Sequence, residues 1–144
     1  MIASDDPVHL HQRRLVNRRF TPRAVKAQSD TIADMIDKLV DPLTPQGRTE
    51  VIEDLAGQLP ARFTAWLLGL DEDEAWPTMK VWSERLGYGT HFCVGVNFAH
   101  KEFELLFAKL TRTWTDLRVV TEPDVELNYF ARAVRSFELA FGAR

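Results

Sequence analysis

A chain of 144 residues with 45% hydrophobic and 27% charged residues lies in the range of one ordinary domain. Without low-complexity or fixed-period segments it excludes disordered, fibrous and solenoid architectures. The longest apolar stretch, around Ala65 to Leu70, is far short of the roughly 20 residues of a membrane helix, the N-terminus lacks the apolar region of a signal peptide, and the single cysteine has no internal disulfide partner, so a cytoplasmic location is expected.

The net charge of −3 is unevenly spread: residues 1–26 hold six Arg or Lys against two Asp, and residues 27–86 hold twelve acids against five bases. Asp5 and Asp6 ahead of Pro7 are suited to cap free amides, which predicts a helix from about Pro7 to Arg19. Thr21-Pro22 is a second start, and Val25, Ile32, Met35, Ile36 and Leu39 predict one long amphipathic helix up to Pro42. Leu43-Thr44-Pro45-Gln46-Gly47 is turn chemistry, followed by a short extended piece from Thr49 to Ile52. Glu53-Asp54 then open a helix carrying Leu55, Leu59, Phe63, Trp66 and Leu67 and ending at Gly69. The acids from Asp71 start another through Trp76, Met79, Trp82 and Leu86, where Pro77 is tolerable only in the first turn. Ala99, Phe103, Leu106, Phe107, Leu110 and Trp114 recur on one helix face. Leu117 to Val120, Val125 to Leu127 and Phe137 to Phe141, punctuated by Pro123 and Asn128, read as short strands. The fold class is mainly α with a small C-terminal β element.

Ahead of the clearest helix runs Gly87-Tyr88-Gly89-Thr90-His91-Phe92-Cys93-Val94-Gly95. A cysteine just before a helix has its sulfur near the positive end of the dipole, which favours the thiolate that a metal needs. Gly87, Gly89 and Gly95 let the backbone approach a flat ligand closely. A buried, inert cysteine beside a glycine turn is the alternative reading of the same residues. Near the N-terminus, His9 and Arg13 are four residues apart and share a helix face, which by spacing alone reads as solvated surface.

The ligand loop, with Leu86, Gly89, His91, Cys93 and Gly95 in register, resembles the heme loop of the cytochromes P450, Phe-x-x-Gly-x-His/Arg-x-Cys-x-Gly. Only the first position departs, where Leu86 removes an aromatic shield beside the sulfur. The resemblance implies heme b (iron-protoporphyrin IX) as cofactor, Cys93 as proximal iron ligand, Gly89 as part of the cradle, His91 as a donor to a propionate, and Ala99 packed on the ring. Asp6-Pro7-x-His9-x-x-x-Arg13-Arg14-Leu15-Val16, followed by Phe20-Thr21-Pro22, resembles the family's C helix and the turn after it, which puts His9 and Arg13 at the propionates. Asp54-Leu55-Ala56-x-x-Leu59-Pro60, Leu67-Leu68-Gly69 and Trp82-Ser83 resemble the E helix and the stretch after it, in the family's order. The architecture implied is a single incomplete P450 domain over residues 1–144: C, D and E helices in 1–86, then heme loop, L helix and C-terminal strands in 87–144.

Two family features are missing from the sequence. There is no I helix with an acid beside a threonine, since Asp30-Thr31 reads as a solvated pair on a different helix, and no Glu is followed three residues later by Arg. The segment that separates the E-helix region from the heme loop in the family is absent between Leu86 and Gly87. By family, then, the expected function is an O2-dependent heme-thiolate monooxygenase acting on a small organic substrate. A ferredoxin-type electron donor would dock on Arg14, Arg18 and Arg19, in a truncated form with little or no activity. The alternative is a non-catalytic deletion remnant binding heme weakly or not at all, with apolar faces such as Phe103/Phe107/Trp114 exposed. The negative charge argues against a nucleic-acid partner, and the short apolar stretches argue against a membrane.

Overall fold

The computed structural model describes residues 7–85, 95–127 and 132–144. Helix α1 spans Val8–Asn17, α2 Pro22–Lys26 and α3 Ser29–Val40. A 3-10 turn at Thr44–Gln46 leads into strand β1 (Arg48–Glu50) and a π-helical turn at Ile52–Ala56. Then come α4 (Gln58–Leu67), α5 (Glu72–Arg85) and α6 (Val96–Thr113). Strands β2 (Trp114–Val119), β3 (Asp124–Leu127), β4 (Arg132–Ser136) and β5 (Glu138–Ala143) complete the order.

The predicted long helix from Thr21 to Pro42 is two helices. Thr21 caps α2 by accepting a hydrogen bond from the Ala24 amide at 3.2 Å, and the Ser29 hydroxyl donates to the Lys26 carbonyl at 2.8 Å, diverting an acceptor from the ladder. A new helix restarts with the Ile32 amide donating to Gln28. Its apolar spacing does what the sequence implied: Ile32, Met35, Ile36, Leu39 and Val40 are all buried and form the centre of the core. Around them pack Val25 of α2, Leu59 and Phe63 of α4, and Phe98 and Leu110 of α6. Lys109 of α6 bridges Asp37 of α3 and Asp41, the residue that caps its C-terminus, at 2.8 and 2.6 Å, fixing the rotation of one helix against the other.

Helices α4 and α5 meet through a second, smaller cluster of Ala61, Ala65 and Met79, where small side chains allow close approach. The Asp71 carboxylate caps α5 by accepting from the Asp73 and Glu74 amides at 2.9 and 3.0 Å. Pro77 stands inside α5, beyond the first turn to which the sequence pattern confined it. It lies on the exposed face, where the carbonyl deprived of its donor can meet water.

Strands β1, β5 and β2 form one antiparallel sheet in that order, and β3 and β4 form a separate hairpin. The hairpin partner β4 has no counterpart among the expected strands; its Arg132–Ser136 sequence carries no apolar alternation of its own. Helix α6 ends at Thr113, so Trp114 belongs to β2 and not to the helix face that its spacing suggested. It is 2% exposed, stacked on Phe141 with ring centroids 3.6 Å apart, and its indole N–H donates to Thr44 Oγ1 at 3.0 Å. The expected exposure of the Phe103/Phe107/Trp114 face therefore holds for the two phenylalanines and fails for the tryptophan, which the sheet covers.

Because Trp114 joins helix, sheet and 3-10 turn, Trp114→Ala should lower unfolding stability by about 3–5 kcal/mol in denaturant titration. Phe103→Ala, at a side chain left largely in solvent, should change it by about 0.5 kcal/mol or less.

Candidate functional site

Helix α6 carries one face of the candidate site. Its first turn follows Gly95, and the Asn97 side-chain amide donates to the Phe20 carbonyl at 2.8 Å. That bond joins the start of α6 to the turn between α1 and α2, so the structure brings the C-helix-like stretch beside the helix that comes after the ligand loop. Between α6 and α4 runs a groove of about 340 Å³, lined at one end by Gly95 and Ala99 and further along by Leu59, Phe63, Phe98 and Leu106. A second cleft, of about 440 Å³, lies on the other side of Phe98 and Leu67 and is lined by Arg18, Arg19, Gln28 and Trp66.

The predicted site residues fall into three groups. Ala99 is half-buried on the groove wall, where a small side chain leaves room for a flat apolar group. Arg13 is half-buried in α1 and already engaged, and His9 lies in the same helix, its side chain outside the described part of the structure. Gly89, His91 and Cys93 lie outside the described residues, as does Leu86. Among the described residues no group of three or more His, Cys, Asp or Glu could hold a metal ion. Arg14, Arg18 and Arg19 are exposed, but the last two also form a cleft wall with Trp66 and Phe98 rather than a flat basic face.

Tested against a porphyrin, the described residues fit its apolar body at the loop end of the groove, where Gly95 and Ala99 offer a wall free of charge. Among the described residues no cationic side chain lines that groove.

Sequence reasoning missed Glu102. It sits one turn beyond Ala99 and one turn before Leu106, inside the apolar stripe of α6, and that position in the stripe was the available signal. The side chain is 8% exposed, faces the groove, and has no hydrogen-bond or ion-pair partner among the described residues. Burial alone pushes its carboxyl up from 4.5 to about 7. Elsewhere the buried acid–hydroxyl chemistry is satisfied: Thr49 donates to Asp54 at 2.8 Å, and the same carboxylate oxygen accepts from the Glu50 amide at 2.9 Å.

The raised Glu102 value makes a signed prediction. The folded chain holds this proton more tightly than the unfolded one, so stability falls as pH rises from about 4.5 through about 7. Glu102→Gln should stabilise the chain by roughly 2–3 kcal/mol at pH 8 and change little at pH 4 in denaturant titration. Equal effects at both pH values would mean that the carboxyl is hydrated.

No family model matches the chain. Over 74 residues it is 38% identical to the steroid C26-monooxygenase of Mycobacterium tuberculosis, a stretch covering 51% of this chain and 20% of that protein. Over 86 residues it is 36% identical to the cytochrome P450 monooxygenase PikC of Streptomyces venezuelae, covering 58% and 20%. Among solved structures, the cytochrome P450 PksS of the Bacillus subtilis bacillaene polyketide synthase superposes with a TM-score of 0.69 at 13% identity, over 97% of this chain and 80% of that one. A myxobacterial cytochrome P450 solved with myristic acid gives a TM-score of 0.52 at 28% identity, over 76% and 27%. The chain thus spans about a fifth of the length of the curated relatives it matches. No helix among the described residues is long and apolar enough to cross a membrane. Local sequence identity and the partial fold agree: over the stretches they match, this chain is similar to the cytochromes P450, of whose fold it spans a part.

Proposed function

We propose that the chain is an incomplete P450 domain over residues 1–144 that holds heme b through Cys93 and, by itself, turns over little or no substrate. The observation that carries this is the Gly89-x-His91-x-Cys93-x-Gly95 order directly ahead of α6, a helix whose first turn places Ala99 on an apolar groove. Cys93 would ligate the iron as thiolate, favoured by the free amides at the start of α6. His91, His9 and Arg13 would pair with the propionates, and Ala99 would pack against the ring. The heme-thiolate group supplies dioxygen activation in this family. Around it, this chain's own residues would shield the group at the loop end of the groove, where Gly95 and Ala99 line the wall.

For complete enzymatic activity the chain lacks an acid–threonine relay among the described residues. Asp30 and Thr31, the only adjacent acid–threonine pair of the right order, lie in the first turn of α3 with Asp30 in solvent, away from the groove. If an electron donor of the ferredoxin class docks, Arg14, Arg18 and Arg19 are the exposed cations it would meet, and the substrate would be a small organic molecule oxidised with O2.

A second reading, a non-catalytic remnant that binds heme weakly or not at all, is favoured by the open face of α6. Phe103 and Phe107 stack on each other while 58% and 60% exposed, and nothing among the described residues covers them. A patch of this kind is an association hazard.

The purified chain with added hemin, reduced under carbon monoxide, should show the strongly red-shifted absorption band of thiolate-ligated iron, and Cys93→Ala should abolish that band. A wild-type spectrum indistinguishable from that of Cys93→Ala would remove the heme-thiolate reading and leave the remnant. The remnant reading also expects a broad, concentration-dependent melt, which a sharp monomeric transition would contradict.

A further inference from the structure

The groove between α4 and α6 has a feature that heme ligation does not use. Phe20, Phe98 and Phe63 form a continuous aromatic wall: Phe20 meets Phe98 edge-on with centroids 5.3 Å apart, and Phe98 meets Phe63 at 4.6 Å. Glu102 lines that apolar surround, 8% exposed as a residue, with no hydrogen-bond or ion-pair partner among the described residues and its carboxylate oxygens still reaching the solvent edge. The groove's other polar side chain, Thr64, is already satisfied, donating to the Pro60 carbonyl at 2.7 Å. An unpaired carboxylate in such a place is costly, and the cost is relieved by a ligand that brings the missing positive charge. Aromatic walls favour the same kind of ligand, because the ring quadrupole attracts cations.

We propose that the α4–α6 groove binds an organic monocation, whose ammonium head pairs with Glu102 and whose apolar body lies along Phe63, Phe98 and Leu106. The volume of about 340 Å³ suits a small ligand rather than a folded partner. No titratable side chain from α2, α3, α4 or the sheet lines the groove. The nearest charges of α6 and its neighbours are committed elsewhere: Lys101 to Glu104, Lys109 to Asp37 and Asp41, and Arg62 to Asp73. Among the described residues Glu102 is therefore the one group in the groove whose ionisation sets the affinity for a cation.

The test uses the full chain and n-octyltrimethylammonium, which has no lone pair for iron and so reports on the groove independently of Cys93. Calorimetric titration at pH 8.5 and pH 5.5 should show binding about tenfold tighter at the higher pH, where the carboxylate is ionised. n-Octanol should bind more weakly than the cation at pH 8.5 and with no pH dependence. Glu102→Gln should lose the pH dependence and bind the cation about as weakly as wild type does at pH 5.5. Glu104→Gln, on the exposed side of the same helix, should bind like wild type. The proposal is overturned if Glu102→Gln retains wild-type affinity at pH 8.5, if octanol matches the cation there, or if Glu104→Gln weakens binding as much as Glu102→Gln does.

Discussion

The apolar stripe of α3 is the constraint on which the other elements depend. Ile32, Met35, Ile36, Leu39 and Val40 are nearly removed from solvent, and each such side chain contributes roughly 1.5–3 kcal/mol on burial. A helix with one buried stripe needs walls on that side, and α2, α4 and α6 supply them. The double ion pair of Lys109 lies at the margin of this contact, where partial exposure limits its worth. Its effect is orientational: with Asp37 on α3 and Asp41 capping its C-terminus one turn later, only one rotation of α6 lets Lys109 reach both. That rotation sends Leu110 into the core and leaves Phe103 and Phe107 outside.

The same helix serves the core, the sheet and the candidate site. Its first turn is tied to the α1–α2 junction through Asn97, and its last turn runs into β2, where Trp114 stacks on Phe141. The groove toward α4 is what remains along its side once both ends are fixed. The likeness to the cytochromes P450 gives this arrangement its meaning, since the segment immediately before α6 carries Cys93, the heme ligand we propose. Glu102 gives the groove a different chemistry, since a single buried acid among phenylalanines selects ligands by charge.

What the described residues leave unmet is visible as physics. Apolar side chains on α1 (Val8, Leu10, Leu15) and on α6 (Phe103, Phe107) stand in solvent, and a carboxyl inside a groove has no partner among the described residues. Locally the chain satisfies its own rules: Thr21 and Asp71 cap their helices, and Asp54 satisfies Thr49 and Glu50.

What the sequence determined by itself was what depends on short-range order. The stripe of α3, the existence of α6, the turn at Leu43 to Gly47, most of the short strands and the order of the cysteine segment with its glycines all declare themselves within a few residues. The P450 relationship rests on such local patterns, which is why the amino-acid order alone made it legible. Tertiary structure decided what depends on residues far apart in the chain. Ser29 splits a helix that apolar spacing ran together, and β4 exists because β3 pairs with it. Trp114 is buried because Phe141, 27 positions later in the numbering, stacks on it. Glu102 became notable only when α4 and Phe20 closed around it, because the affinity of a carboxyl for its proton is set by the solvent it loses, and that loss is a property of the packed neighbours.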